Sequence, residues 1–182
     1  MNKFLIICSI ILSSFYSSAY AATPDWVVQD KKITPGVLNK DVTQANISTT
    51  VCKAGWTATI RPTVTYTNNL KDTQLKTTYA SYTKIWGTSA SAYEEDHLIS
   101  LQLGGNPSDP KNLWPQPYAD NGARKKDVVE TALKRLVCSN SITLKDAQKA
   151  ILNWPTAYKK YVTEQVKICF FYKIHTAPNL KF

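Results

Sequence analysis

The run Tyr93-Glu94-Glu95-Asp96-His97-Leu98-Ile99-Ser100-Leu101-Gln102-Leu103-Gly104-Gly105, closed by Asn112-Leu113-Trp114-Pro115, decides the fold. It gathers three consecutive carboxylates, one of the chain's 2 histidines and a Gly-Gly pair. Residues 94–103 have strand character, Gly104-Gly105-Asn106-Pro107 must turn, and residues 112–116 form a second short extended segment. Together they predict a hairpin with a wide loop. Neighbouring strand residues face opposite sides, so Asp96 and His97 serve one site only if the strand bends or ends there. The glycine pair soon afterwards makes that bend credible.

Outward from the hairpin, residues 121–137 read as a helix with Val128, Val129, Ala132, Leu133 and Leu136 on one face and Asp127, Thr131, Lys134 and Arg135 opposite. On that wheel Asn121 and Lys125 flank the apolar face and turn toward the hairpin, whereas Lys126 points elsewhere. Thr143 with Asp146 opens a further helix, whose Leu144, Ala147, Ala150, Ile151 and Trp154 share a side and which Pro155 stops. A last helix from about residue 156 carries Tyr158, Tyr161, Val162, Val166 and Cys169 inward. Before the hairpin, Asn39 or Asp41 caps a short helix through Ile47, residues 49–52 turn extended, residues 56–60 alternate as a strand, and Thr67 caps a helix over residues 68–76. The fold class expected is α+β, with no repeat and no domain linker.

The chain begins with Lys3, an apolar run over residues 4–12 and the small-residue site Ala19-Tyr20-Ala21. That pattern predicts a cleaved signal peptide over residues 1–21, because the run is far shorter than the roughly 20 residues of a membrane span. Residues 22–182 are then one domain, secreted or periplasmic, without a membrane anchor in the mature form and expected to be a monomer. The chain holds 22 Lys and Arg against 13 Asp and Glu, a formal charge of +9. A balance this basic in an exported protein favours polyanionic partners: nucleic acid, anionic lipid or acidic glycans. Cys8 leaves with the leader, so Cys52, Cys138 and Cys169 remain where disulfides persist. Cys52–Cys138 is the preferred pair, since it ties the N-terminal segment to the helix after the hairpin. No two cysteines or histidines stand at zinc-ligand spacing.

Phosphodiester hydrolysis needs a cation on the phosphate, a base for water and a group that holds the base. Asp96 is a hard oxygen ligand suited to magnesium or manganese, and His97 takes a proton near neutral pH. With Gly104-Gly105, Asn112-Leu113 and the helix-start pair Asn121 and Lys125, these residues resemble the HNH endonuclease family of ββα-metal nucleases. The resemblance centres on residues 93–137. It implies a ββα-metal (His-Me finger) hairpin-plus-helix core with flanking helices. It also implies Asp96 and Asn121 as metal ligands, His97 as general base and Asn112 as the residue that steadies the loop and orients the base. The expected ion is Mg2+, with Mn2+ or another divalent ion second. The zinc-binding cysteine pairs of many HNH proteins are absent from the sequence.

The function this implies is a secreted endonuclease cutting DNA, and RNA second, with little sequence preference. Arg124 and Lys125 are the expected phosphate contacts, with Arg61 a weaker candidate. One rival is a basic nucleic-acid-binding or effector protein that keeps the fold without catalysis; a second is a secreted hydrolase acting on another substrate such as a wall polymer, although the lack of His-Glu-x-x-His argues against a zinc peptidase. Trp114 is expected in the core, Glu94 as a solvated strand residue and His175 on the surface. Glu95 is expected as a solvated residue, a supporting partner or an additional ligand.

Overall fold

The computed structural model describes residues 26–119 and 121–163. The expected leader, residues 1–21, and Val166, Cys169 and His175 lie outside the described residues. In chain order come a 3₁₀ turn at Gln44–Thr49, helix α1 (Trp56–Ile60), helix α2 (Val64–Lys76), a 3₁₀ turn at Ala80–Tyr82 and helix α3 (Thr83–Trp86). The hairpin follows as strand β1 (Tyr93–His97) and strand β2 (Leu113–Pro117), and then helices α4 (Ala123–Cys138), α5 (Leu144–Ile151) and α6 (Trp154–Tyr158). A π turn, Lys159–Thr163, continues α6. The architecture is therefore α+β, with a two-stranded antiparallel sheet.

Several local expectations change for identifiable reasons. Residues 56–60 are helical rather than extended. Trp56 and Ile60 satisfy a four-residue helical spacing as well as an alternating one, and Gly55 at φ 77° turns the chain into the helix. Residues 49–52 are turns, with Cys52 N–H bonded to the Ile47 carbonyl at 2.9 Å. Helix α2 starts at Val64 because Thr63, not Thr67, caps it: Thr63 Oγ1 accepts from Tyr66 N–H at 3.2 Å. Thr67 instead donates back to the Val64 carbonyl at 3.1 Å. Trp154 lies past the end of α5 and opens α6, with Pro155 in its first turn, where the missing N–H costs nothing.

The strand expected over residues 94–103 ends at His97. Ser100 Oγ accepts from Gln102 N–H at 3.2 Å and starts a 3₁₀ turn, Leu101–Leu103, instead. Gly104 takes φ 76°, and a Cβ on Gly105 would sit 1.7 Å from the Ile99 carbonyl oxygen, so the pair is required by backbone approach. The register pairs Glu94 with Gln116 and Asp96 with Trp114, and on the other face Glu95 with Pro115 and His97 with Leu113. The bend has thus been replaced by termination: Asp96 and His97 leave opposite faces of β1 at its last two positions.

Leu98 and Ile99 then enter two different cores. Leu98 packs with Val27, Tyr79 and Trp114. Ile99 joins Val129, Leu133 and Val137 of α4 with Leu144, Ala147 and Ile151 of α5 and Trp154 of α6. Each fully buried aliphatic side chain contributes on the order of 1.5–3 kcal/mol, so these two residues anchor the end of β1 from both sides. Trp114 is fully buried, as its sequence position suggested. Cys52 and Cys138 are disulfide-bonded and staple the N-terminal segment to the end of α4.

Candidate functional site

The loop between the strands is built around Asn112. Its Oδ1 accepts from Ile99 N–H at 2.9 Å and Val37 N–H at 3.4 Å, while its Nδ2 donates to the carbonyls of Asn106 at 2.8 Å and Ile99 at 3.1 Å. One buried amide so uses all four hydrogen bonds it can make. Asn106 in turn accepts from the N–H groups of Ser108 and Asp109 at 3.0 and 2.9 Å, which fixes Pro107 between them. The Pro107 carbonyl lies 2.8 Å from His97 Nε2. A carbonyl only accepts, so Nε2 carries the hydrogen and in the neutral ring Nδ1 carries the lone pair. Asn112 therefore reaches His97 through the loop rather than by a bond to the ring.

His97 is buried, and burial pushes its pKa below the ordinary value. The Pro107 hydrogen bond and Asp96 oppose this, while Lys126 and Arg61 reinforce it. The balance is a neutral imidazole at pH 7. Arg61, in the segment between α1 and α2, is exposed and near enough to contribute to that shift.

Helix α4 presents a residue that the wheel had turned away. Lys126 is completely buried, and its ammonium donates to Asp96 Oδ2 at 2.6 Å, Glu130 Oε1 at 2.5 Å and the His97 carbonyl at 2.7 Å. Ser100 donates to the other Glu130 oxygen at 2.7 Å. Burial alone would lower the Lys126 pKa, but the two carboxylates outweigh it and raise it, so the ammonium stays charged. The signal was present in the sequence, since 126, 129, 133 and 137 fall at helical spacing on the buried stripe of α4. Counting Val128 and Leu136 as core because they are apolar rotated the predicted face; Val128 is in fact 47% exposed. Lys126 and Glu130, four residues apart, are the pair that this displaced.

Asn121 precedes α4, which begins at Ala123. Its Oδ1 accepts from Lys125 Nζ. The Lys125 ammonium also lies 5.3 Å from the Trp26 ring and 5.8 Å from the Tyr158 ring, a cation–π setting that ties it into the packing there. Arg124 is largely exposed; it bonds to Asp127 at 3.2 Å and lies 5.1 Å over Tyr118, with Glu94 at 3.8 Å. Of the two expected phosphate contacts, Arg124 is the one that faces outward.

The expected metal ligands, as they stand, do not fit a divalent ion. Asp96 Oδ2 and Asn121 Oδ1 each accept from a lysine ammonium, and those lysines differ. Among the described residues no three His, Cys, Asp or Glu side chains converge as a metal site.

Glu95, beside Asp96 but on the opposite face, was the least specified of the acidic residues. Both of its carboxyl oxygens are buried with no hydrogen-bond partner. Helix α2 crosses that face, with Lys71 Nζ on the Tyr93 carbonyl at 3.1 Å and Gln74 Nε2 on the Leu113 carbonyl at 3.0 Å. Burial first, and then Asp96, push the Glu95 carboxyl up to about 9 despite the opposing Lys71, so it is protonated at neutral pH.

In comparisons with protein-family models, curated proteins and solved structures, the chain matches none of them. Among the described residues no helix is long and apolar enough to cross a membrane.

Proposed function

We propose that this protein hydrolyses phosphodiester bonds in nucleic acid, DNA first and RNA second, as a secreted endonuclease of the ββα type. The observation that carries the proposal is the hydrogen bond between His97 Nε2 and the Pro107 carbonyl at 2.8 Å. It selects the tautomer whose Nδ1 accepts a proton, and the lowered pKa keeps that nitrogen unprotonated at neutral pH. His97 Nδ1 would take the proton of the attacking water. Arg61, exposed and close to the ring, would hold the phosphate for that attack, and Arg124 would help gather the strand on a strongly basic surface. Asn112 keeps the loop, and through it the imidazole, in place. The order β1, β2, α4 matches the hairpin-plus-helix of the ββα-metal finger, and this supports the same reading.

A second reading, a binding protein without catalysis, is favoured by one observation: Asp96 is closed off by Lys126. The two separate in one experiment. The mature protein is incubated with plasmid and single-stranded substrates beside His97→Ala, with and without EDTA and added Mg2+ or Mn2+. Cleavage that falls about 10²–10⁴-fold in His97→Ala supports the hydrolase. Undiminished cutting by His97→Ala overturns the proposed mechanism, and salt-sensitive retention of DNA without cutting under any condition establishes the binder.

A further inference from the structure

The clash between the expected metal ligands and the lysines that occupy them has a specific geometry at Asp96. Three oxygens, Asp96 Oδ2, Glu130 Oε1 and the His97 carbonyl, converge within 2.7 Å of one point, and that point is Lys126 Nζ. Two come from carboxylates and one from a main-chain carbonyl, a hard oxygen set of the kind that suits Mg2+, Mn2+ or Ca2+. Ser100 donates to the other oxygen of the Glu130 carboxylate at 2.7 Å, which fixes that member of the set independently of Lys126. An ammonium has three donors, and all three are used here. The side chains of Lys126, Glu130 and Asp96 are 1%, 9% and 15% exposed, so water contributes little.

We propose that Lys126 is a resident cation: its ammonium fills the cation site formed by Asp96, Glu130 and the His97 carbonyl, in the place where a divalent ion would otherwise sit. The site is then permanently charged without exchangeable metal. Lys126 also holds the backbone of His97 directly, which makes it a positioning residue for the base. Because its three donors are committed inside the protein, it does not itself touch a phosphate.

The test uses Mn2+ as probe, its uptake by the mature protein read by electron paramagnetic resonance. Wild type and Asp96→Asn are expected to take up Mn2+ equally weakly. Lys126→Ala, which empties the position while leaving the oxygens, is expected to bind one Mn2+ per chain at least tenfold more tightly, and adding Asp96→Asn to it abolishes the gain. Mn2+ at about a hundred times its Kd should raise the melting temperature of Lys126→Ala by roughly 5–10 °C and leave wild type unmoved. Should Lys126→Ala fail to fold, the wild-type and Asp96→Asn pair still decides. One tight Mn2+ in wild type that Asp96→Asn removes overturns the proposal, as does a folded Lys126→Ala with no gain. A cleavage arm, which alone rests on the phosphodiesterase reading, expects wild-type cutting to survive EDTA; cutting that EDTA stops and Mn2+ restores counts against Lys126 as the resident cation. Absence of cutting would count against the phosphodiesterase and leave the binding arms to decide this proposal.

Discussion

Lys126 Nζ and Asp96 Oδ2 lie 2.6 Å apart across the interface of α4 with β1, joining the end of the hairpin to the helix through a buried ion pair that Glu130 completes. A lone charge in that setting is costly, so the group should respond asymmetrically to substitution. Lys126→Met is expected to destabilise the fold by about 3–5 kcal/mol, because it strands two carboxylates. Adding Glu130→Gln should recover part of that loss. Urea denaturation of the two single variants and the double variant measures the coupling; strict additivity would show that Lys126 and Glu130 do not act as a unit.

Glu95 predicts a pH dependence of stability with a defined sign. Its folded pKa, about 9, lies above the ordinary 4.5, so between those values the folded chain holds a proton that the unfolded chain releases. Stability from this group is fully present below about pH 4.5 and is lost progressively as pH rises toward 9, at up to about 1.4 kcal/mol per pH unit. Glu95→Gln removes the slope and should be the more stable protein at pH 8. Urea midpoints of both proteins across this range check it, and a difference independent of pH would refute the buried neutral carboxyl.

Asn112→Asp keeps the shape and both accepting contacts but turns the two Nδ2 bonds into oxygen facing oxygen. The expected cost is about 2–4 kcal/mol, from leaving the Ile99 and Asn106 carbonyls unsatisfied beside a buried charge. On the proposed function, residual activity at a temperature where the variant is folded should also fall, since the Asn106–Pro107 segment that holds His97 loosens. Stability loss with kcat intact would show that the loop's grip on His97 does not matter for catalysis.

On the proposed function, His97 should set the acid limb of activity. Burial lowers its pKa, so proton-accepting capacity should persist to a pH below the ordinary value near 6.5 and then fall. The same shift makes the fold lose stability as pH drops through that window, because the unfolded chain binds the proton more readily. The pH profile of kcat/KM locates the limb; a limb above pH 6.5 would contradict the lowered pKa.

The Cys52–Cys138 bridge closes a loop with a sequence separation of 86. The paired substitution Cys52→Ser with Cys138→Ser is expected to cost about 2–5 kcal/mol, mainly by freeing the unfolded chain. Denaturation with and without reductant measures it, and reduction should leave the Cys→Ser protein unchanged.

By itself, the sequence determined the α+β class, the place of the hairpin, the helix that follows it, the Thr143 cap of α5 and the disulfide pair. Except for the disulfide, whose cysteines stand 86 positions apart, these depend on short-range physics: alternation, turn residues, capping and helical spacing act within a few positions. It also singled out His97 and Asn112, although the route between them through Asn106 and Pro107 depends on a loop that only the folded backbone closes. The tertiary structure alone decided which charges meet. Asp96 and Lys126 stand 30 residues apart, and their pairing follows from the rotation of α4 against β1, set by Val129, Leu133 and Val137 entering the core with Ile99. Burial and the charges it encloses did the rest: Asp96 and Glu130 keep the Lys126 ammonium charged against the cost of burial, while burial itself keeps the imidazole of His97 neutral and the carboxyl of Glu95 protonated, three outcomes that side-chain identity leaves open.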